Sequence, residues 1–347
     1  MKRRLERNKV LYQMKPPSLR DLERLTGGKN FVLLFDERLS SYPVFSKWAS
    51  VFEKRLALRS GENLKSIDEL PGHVRNILPL LSGFSPQETV VVAVGGGSVG
   101  DFAGFVASIL KRGVGYVNLP TTWLAAVDSA HGGKNGLNVS GLKNQVGTFY
   151  EPKAVICVKK FLELQPVENV RSAYGEVLKI SLLMGRDLMR QIMRAKRFDG
   201  AGLWSFLPKV VEAKYNIVKK DPKEQSGYRH LLNFGHTLGH AYEMDRLLPH
   251  GVAVQLGLEF ATEWSHKLRL LGARDYEVLK ILFAKNKLNP LQPLPVERLY
   301  MLLRQDKKAK GGDLVRFVFI KRPGSPVIKE VPLDDVVRAA RELGWAQ

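Results

Sequence analysis

Cysteine is nearly absent from this chain: Cys157 is the only one in 347 residues. That excludes a disulfide framework and a zinc cage built of thiolates. Long apolar runs are missing too, since none reaches the roughly 18 residues a membrane helix needs. The basic start, residues 1–20, has no apolar stretch behind it. It does not read as a secretory signal, and the cytoplasm is the expected compartment. Acidic residues are scarce beside basic ones, 34 Asp and Glu against 54 Lys and Arg, for a net charge of +20. The excess is spread along the chain. No zinc-finger spacing, RNA-binding aromatic signature or basic helix leading into heptads accompanies it. The charge therefore points to a basic solvated surface with an anion site, and neither a nucleic-acid partner nor a membrane is expected. Hydrophobic residues at 44% and charged residues at 25% are an ordinary globular mix, enough for a packed core. The length suggests two domains.

The first half alternates short apolar strands with helix-like stretches. Phe31–Phe35, Thr89–Val94, Val114–Leu119 and Ala154–Val158 are β-branched or wholly apolar runs, the pattern of a parallel sheet covered on both faces. From about Phe161 the periodicity turns helical, over Val170–Leu183, Leu203–Lys220 and Val252–Leu271, with one late strand at Leu314–Ile320. The expected fold is α/β: an N-terminal parallel-sheet dinucleotide-binding domain, 1–160, and a mostly helical metal- and substrate-binding domain, 161–347.

Three segments carry chemistry. In Val94-Gly-Gly-Gly-Ser-Val-Gly-Asp101 a strand runs into consecutive glycines and a helix start. Such a turn lets backbone N–H groups approach a phosphate, although an ordinary tight turn reads the same way. Asp36, at a strand end, and Glu62 and Lys65 could complete a dinucleotide site, because ligands of open α/β sheets lie at the carboxyl ends of strands. In Asn233-Phe-Gly-His236-Thr-Leu-Gly-His240-Ala-Tyr-Glu243 the two histidines share one helix face. His250 follows ten residues later. Two imidazoles and a carboxylate with an open position suit a catalytic zinc, and Glu176, three residues before Lys179, is the candidate carboxylate. The plainer alternatives are a core and a surface histidine, and a surface salt bridge. The third segment, Val127-Asp-Ser-Ala-His-Gly-Gly-Lys-Asn-Gly-Leu-Asn138 with Lys143-Asn144, reads as a functional loop or as a charged surface loop.

Together and in this order, GGGSVGD, LPTTWLAAVDSAHGGKNGLN, KNQVGTFYEPKAV, GEVLK, NFGHTLGHAYE, the His250-Gly pair and Asp306-Lys-Lys308 resemble the 3-dehydroquinate synthase family of sugar-phosphate cyclases. The resemblance covers residues 30–320. It implies a homodimeric phosphorus–oxygen lyase that uses NAD and one divalent metal, zinc or cobalt. Such an enzyme turns 3-deoxy-D-arabino-heptulosonate 7-phosphate into 3-dehydroquinate and phosphate. It does so by oxidation, β-elimination, reduction and aldol closure, a step toward chorismate and the aromatic amino acids. Carried over by position, the metal ligands are Glu176, His236 and His250. The NAD contacts are Asp36, Glu62, Lys65, Gly95, Gly96, Gly97, Ser98, Asp101, Thr121, Thr122, Asp128, Lys134 and Lys143. The catalytic set is Lys134, Lys179, Lys214, Arg229, Asn233 and His240. Asp128, Asn144 and Lys307 or Lys308 meet the substrate, and Arg112 holds its phosphate from the neighbouring subunit. The chain departs from the pattern at His131, usually small and apolar, at Asn135, usually Thr, and at Val252, usually Glu. Sister cyclases that close sedoheptulose 7-phosphate or glucose 6-phosphate are the alternative reading.

Overall fold

The computed structural model describes residues 9–195, 198–289, 291–308 and 313–347, with the side chains of 306–308 left undescribed. The chain divides into two compact units, Met1–Pro166 and Val167–Gln347.

The first unit is built on six parallel strands in the order β1-β8-β5-β4-β2-β3. They are β1 (Lys9–Gln13), β2 (Asn30–Asp36), β3 (Lys54–Leu58), β4 (Thr89–Gly95), β5 (Gly115–Pro120) and β8 (Ala154–Val158). Every residue of β4 is buried, as a central strand between two covered faces must be. The pleat divides the apolar residues. Leu33, Phe35, Val92 and Val94 face helices α1 (Leu19–Thr26) and α2 (Pro43–Ala49) through Leu22, Phe45 and Ala49. Val32, Leu34, Val91 and Ala93 face α3 (Leu70–Ile77) and α4 (Gly97–Ile109) through Ile77, Phe102 and Val106. From β2 the chain steps outward to β3 and returns to β4 on the other side, so the switch point lies between β2 and β4.

The run expected as a loop, residues 127–144, is instead ordered structure. Ala125–Ser129 forms a π-turn, and β6 (Lys134–Val139) pairs antiparallel with β7 (Leu142–Phe149). The hairpin turns at Ser140 and Gly141, both at positive φ, 50° and 80°. Two such residues make the tight turn whose twist matches the strands. Short α5 (Lys159–Leu162) closes the unit and buries Phe161.

The second unit is mostly helical. It contains α6 (Val167–Met184), α7 (Arg186–Arg194), α8 (Gly200–Val218), α9 (His236–Arg246), α10 (His250–Lys267), α11 (Ala273–Lys285), α12 (Val296–Lys308) and α13 (Leu333–Glu342). An antiparallel pair, β9 (Leu314–Ile320) and β10 (Pro326–Pro332), stands beside them. α10 is the hub, packed on α6, α9, α11 and β9. The periodic stretches read as helices correspond to α6, α8 and α10. Among the described residues no helix is long and apolar enough to cross a membrane.

Candidate active site

In the first unit the carboxyl ends of β2, β4 and β5 form a polar rim. Phe35 pairs with Val94 in register, so Asp36 and Gly95 flank the switch point. The Thr121 N–H donates to the Gly95 carbonyl at 2.9 Å. A side chain at Gly95 would collide with Val99, and one at Gly97 with the Ser129 hydroxyl, so this turn admits little but glycine. It leads into the N-terminus of α4, where N–H groups and the helix dipole favour an anion. Asp36 is engaged by Arg38, whose Nη2 lies 2.7 Å from Oδ2 and also donates to the Ser60 hydroxyl at 2.6 Å. Burial pushes the Asp36 carboxyl up, but the Arg38 and Ser60 hydrogen bonds outweigh it and hold it below the usual range. The next residue, Gly61, donates its N–H to Ser98 Oγ at 3.2 Å, tying this segment to α4.

A second cluster adjoins. Buried Lys65 donates to Asp101 Oδ2 at 2.7 Å and to Asn144 Oδ1 at 2.6 Å. Burial raises the Asp101 carboxyl above its ordinary value against the pull of the Lys65 ammonium, and Asp128 adds to the rise. Asn138 donates to Glu62 Oε2 at 2.8 Å and accepts the Asn144 N–H at 2.9 Å. Asn144 itself sits at φ 55°, the left-handed region that Asn tolerates best after glycine. Thus Glu62, Lys65, Ser98, Asp101 and Asn144 lie on one connected rim. Thr122, half-buried Asp128 and, at the start of β6, Lys134 flank it, while Lys143 is exposed on β7. Arg112 does not join them. It is exposed beyond the far end of α4, a 13-residue helix spanning about 20 Å. Lys111, Arg112 and Gly113 all take positive φ there (48°, 64° and 114°).

The departures from the family pattern are packed inside this unit. His131 is buried with Nε2 2.8 Å from the Ala126 carbonyl, under the π-turn that carries Asp128. Buried Asn135 donates to the Gly133 and Tyr150 carbonyls at 3.0 and 2.9 Å. It lies where a side chain on Gly104 would be.

In the second unit, glycines set the geometry. A Cβ on Gly175 would sit inside the Gly251 carbonyl, and one on Gly251 inside the Ser172 carbonyl. α6 and α10 therefore cross in backbone contact. Gly235 and Gly239 of the α9 segment approach α10 in the same way. Glu176 and His250 are the immediate neighbours of that crossing, and His236 opens α9. Glu176 Oε1 lies 3.4 Å from His250 Nε2 and 3.7 Å from His236 Nε2. The facing atoms of the three residues all lie within 4.8 Å of one another. The other imidazole nitrogens are held from behind: His236 Nδ1 lies 3.2 Å from the Phe234 carbonyl and His250 Nδ1 lies 2.9 Å from Glu243 Oε2. That is the arrangement that aims Nε2 lone pairs at a metal. Glu176 is fully buried, and among the described residues neither of its oxygens has a hydrogen bond of proper geometry, though the buried Lys179 ammonium is ion-paired with Oε2. Burial disfavours a charged His250, but Glu176 and Glu243 outweigh it and raise its pKa to about 10. Burial, with the Lys179 charge, pushes His236 far the other way. One buried carboxylate and two imidazoles whose Nε2 atoms face it fit a divalent cation.

Around this cluster, His240 stacks edge-on against His236 at 5.1 Å between ring centroids. Lys214 is buried on α8, which packs on α6. Arg229 is buried as well. Its N–H donates to Asp221 Oδ2 at 3.2 Å and its guanidinium to the Pro222 carbonyl at 2.9 Å. Asp221 gathers that loop: burial raises its carboxyl, but N–H donors from Ser226, Arg229 and Gln225 hold it at about 2. Asn233 hydrogen-bonds His230, which reaches the Arg316 carbonyl of β9. Lys307 and Lys308 end α12, with side chains outside the described residues. Glu243 was not among the candidate residues. Its signal was present, three residues after His240 on one helix face and seven before His250.

One unit holds a parallel sheet with a glycine turn at its switch point, and the other, helical unit holds a Glu–His–His centre; solved sugar-phosphate cyclases share this fold. A solved 2-deoxy-scyllo-inosose synthase, in complex with carbaglucose-6-phosphate, NAD+ and Co2+, matches with a TM-score of 0.80 at 22% identity, covering 96% of each chain. A 2-epi-5-epi-valiolone synthase from Streptomyces hygroscopicus, with NAD+ and Zn2+ bound, matches at 0.82 and 20% identity over 99% of this chain and 98% of that one. The profile for the 3-dehydroquinate synthase N-terminal region matches residues 55–172, and that for its C-terminal region residues 173–309. The 3-dehydroquinate synthase of Alkaliphilus oremlandii is 33% identical over 328 residues, 92% of this chain and 89% of the relative. That of Cereibacter sphaeroides is 38% identical over 313 residues, 86% and 83% of the two. The chain belongs to the 3-dehydroquinate synthase family.

Proposed function

We propose that this protein is a 3-dehydroquinate synthase. It converts 3-deoxy-D-arabino-heptulosonate 7-phosphate to 3-dehydroquinate and phosphate, with NAD and one divalent metal, zinc or cobalt. The observation that carries the reading is the Glu176–His236–His250 centre, beside Lys179, in a chain that matches both regions of the family. The first unit holds the NAD, on the Asp36 and Gly95–Gly97 rim and on Lys65 and Asp101. The second holds the metal, on Glu176, His236 and His250. When bound, NAD supplies a reversible hydride acceptor and the metal an electrophile for substrate oxygens.

The residues supply the remainder. Lys179, Lys214 and Arg229 are buried cations, and cations in low dielectric neutralise a carboxylate or a leaving phosphate strongly. Arg229 is pre-oriented by its ties to Asp221 and Pro222, so little freedom is lost on binding an anion. His240 and Asn233 offer polar hydrogens beside the metal ligands. Once the substrate's phosphate is protonated at the expense of its own adjacent C–H, no separate strong base is required. The later ring opening and closure then need mainly a held conformation. The protein works as a homodimer, in which Arg112 serves the partner's site. Exposed Leu142, Val146 and Phe149 on the β6–β7 hairpin are the apolar surface such an assembly can cover.

The test is phosphate release from the heptulosonate 7-phosphate, sedoheptulose 7-phosphate and glucose 6-phosphate, with NAD and metal supplied. Turnover of the heptulosonate alone is expected. Turnover of a sugar without a carboxylate would replace this reading with a sister cyclase.

A further inference from the structure

Far from the metal centre, the second unit contains a cavity of about 630 Å³, within the range of small-ligand pockets. Its wall includes Glu259, Thr262 and Glu263 of α10, Tyr276 and Phe283 of α11, and Trp345. Glu259 and Glu263 lie about 14 and 20 Å beyond His250 along the helix axis.

The two carboxylates are one turn apart on the same helix face, where like charges repel. Both are partly buried. Each is held by a neutral donor only: Gln255 Nε2 at 2.9 Å from Glu259 Oε1, and Trp345 Nε1 at 2.7 Å from Glu263 Oε2. Among the described residues neither has an ion-pair partner, although the chain carries twenty excess positive charges. Two lysines line the cavity: Lys280 is ion-paired with Glu277 at 2.8 Å, lies 5.0 Å from the Tyr276 ring centroid and acts on Glu263 through its charge alone, while exposed Lys287 forms an ion pair with neither carboxylate among the described residues. Between the two glutamates, the Thr262 hydroxyl is buried with no hydrogen-bond partner among the described residues. A helical Thr ordinarily satisfies its hydroxyl on a carbonyl one turn back. Burial raises both carboxyls; the Glu263 charge adds to the rise at Glu259, whereas the Trp345 hydrogen bond and the Lys280 charge pull Glu263 partly back. Tyr276, Phe283 and Trp345 make part of the lining aromatic, with faces that attract cations and edges that pack apolar groups.

We propose that this cavity is a second ligand site, which takes a primary amine with an aromatic or branched apolar body. The ammonium lies between Glu259 and Glu263, within reach of the Thr262 hydroxyl, and the body packs on Tyr276, Phe283 and Trp345. The site is independent of the cyclase chemistry.

Phenethylamine and its neutral analogue 2-phenylethanol are the probes, titrated calorimetrically into the full chain. The amine is expected to bind saturably at one site per chain, at least tenfold tighter than the alcohol. E259Q and E263Q are each expected to weaken the amine at least tenfold and to leave turnover unchanged, since neither residue belongs to the catalytic set. No saturable binding, equal affinity for amine and alcohol, or undiminished affinity in both variants would overturn the proposal. The comparison of the two probes on the unaltered chain stands even where a variant fails to fold.

Discussion

Glu243 shows how a single side chain controls a site it does not line. Its carboxylate accepts from His250 Nδ1 at 2.9 Å, which fixes the imidazole's tautomer and turns Nε2 toward Glu176. Removing such a partner typically costs 10- to 100-fold in metal affinity while leaving the direct ligands in place. Glu243→Ala is therefore expected to weaken zinc binding by about that factor, with Glu243→Gln falling between it and the unaltered chain. A competition titration against a chromophoric chelator measures this, and an unchanged dissociation constant for Glu243→Ala would remove Glu243 from the centre. The sequence displayed Glu243 plainly, but a glutamate in the middle of an amphipathic helix reads as solvated surface. Only the contact across to the start of α10 separates it from one. Glu176 was legible as a carboxylate three residues before Lys179, where a surface salt bridge read the same way; its full burial sets the two readings apart, since a buried carboxylate demands a partner.

At the scale of elements, the helix crossing is the decisive construction. α6 and α10 touch backbone to backbone because Gly175 and Gly251 carry no side chains, and that contact places Glu176 opposite His250. Gly251→Ala puts a methyl group into the Ser172 carbonyl, which is backbone and has no rotamer to yield. A cost of about 1–3 kcal/mol is expected from such overpacking, together with loss of bound metal as the two ligands separate. Thermal unfolding with and without zinc checks both. The expected signature is a lowered Tm and a smaller metal-induced rise, and a full rise would show that the ligands are not positioned by this contact. The strands show the same dependence on context. β2, β4, β5 and β8 were legible because inner strands of a parallel sheet are apolar throughout. β1 and β3 are the sheet's edges, half-buried and carrying Lys9, Lys54 and Arg55, so their sequence lacks that mark. The β6–β7 hairpin read as a loop because its glycines, asparagines and lysines hide the alternation. β10, PVIKEVP, was missed through its prolines and charges.

At the scale of the whole molecule, Arg112 poses the clearest question. The rim residues assigned to NAD and substrate gather at one end of the parallel sheet, and Arg112 lies past the opposite end of α4, exposed and in a strained run of positive φ. Strain of this kind persists where surrounding structure or function demands it. No rearrangement of the side chain alone spans a helix of that length to reach the rim, and the proposed phosphate role is therefore one toward a second copy of the chain. That makes a test by mixing possible. Arg112→Ala and His236→Ala chains are each expected to be inactive or nearly so as purified homodimers. When they are co-expressed, half of the dimers form from one of each under random assembly. One site in every mixed dimer then has both an intact metal centre and an intact arginine from its neighbour. Recovery of about a quarter of wild-type turnover is expected. Absence of any recovery, in a preparation where mixed dimers are shown to be present, would mean that Arg112 serves its own chain or none, and the phosphate would have to be assigned to the buried cations of the second unit instead.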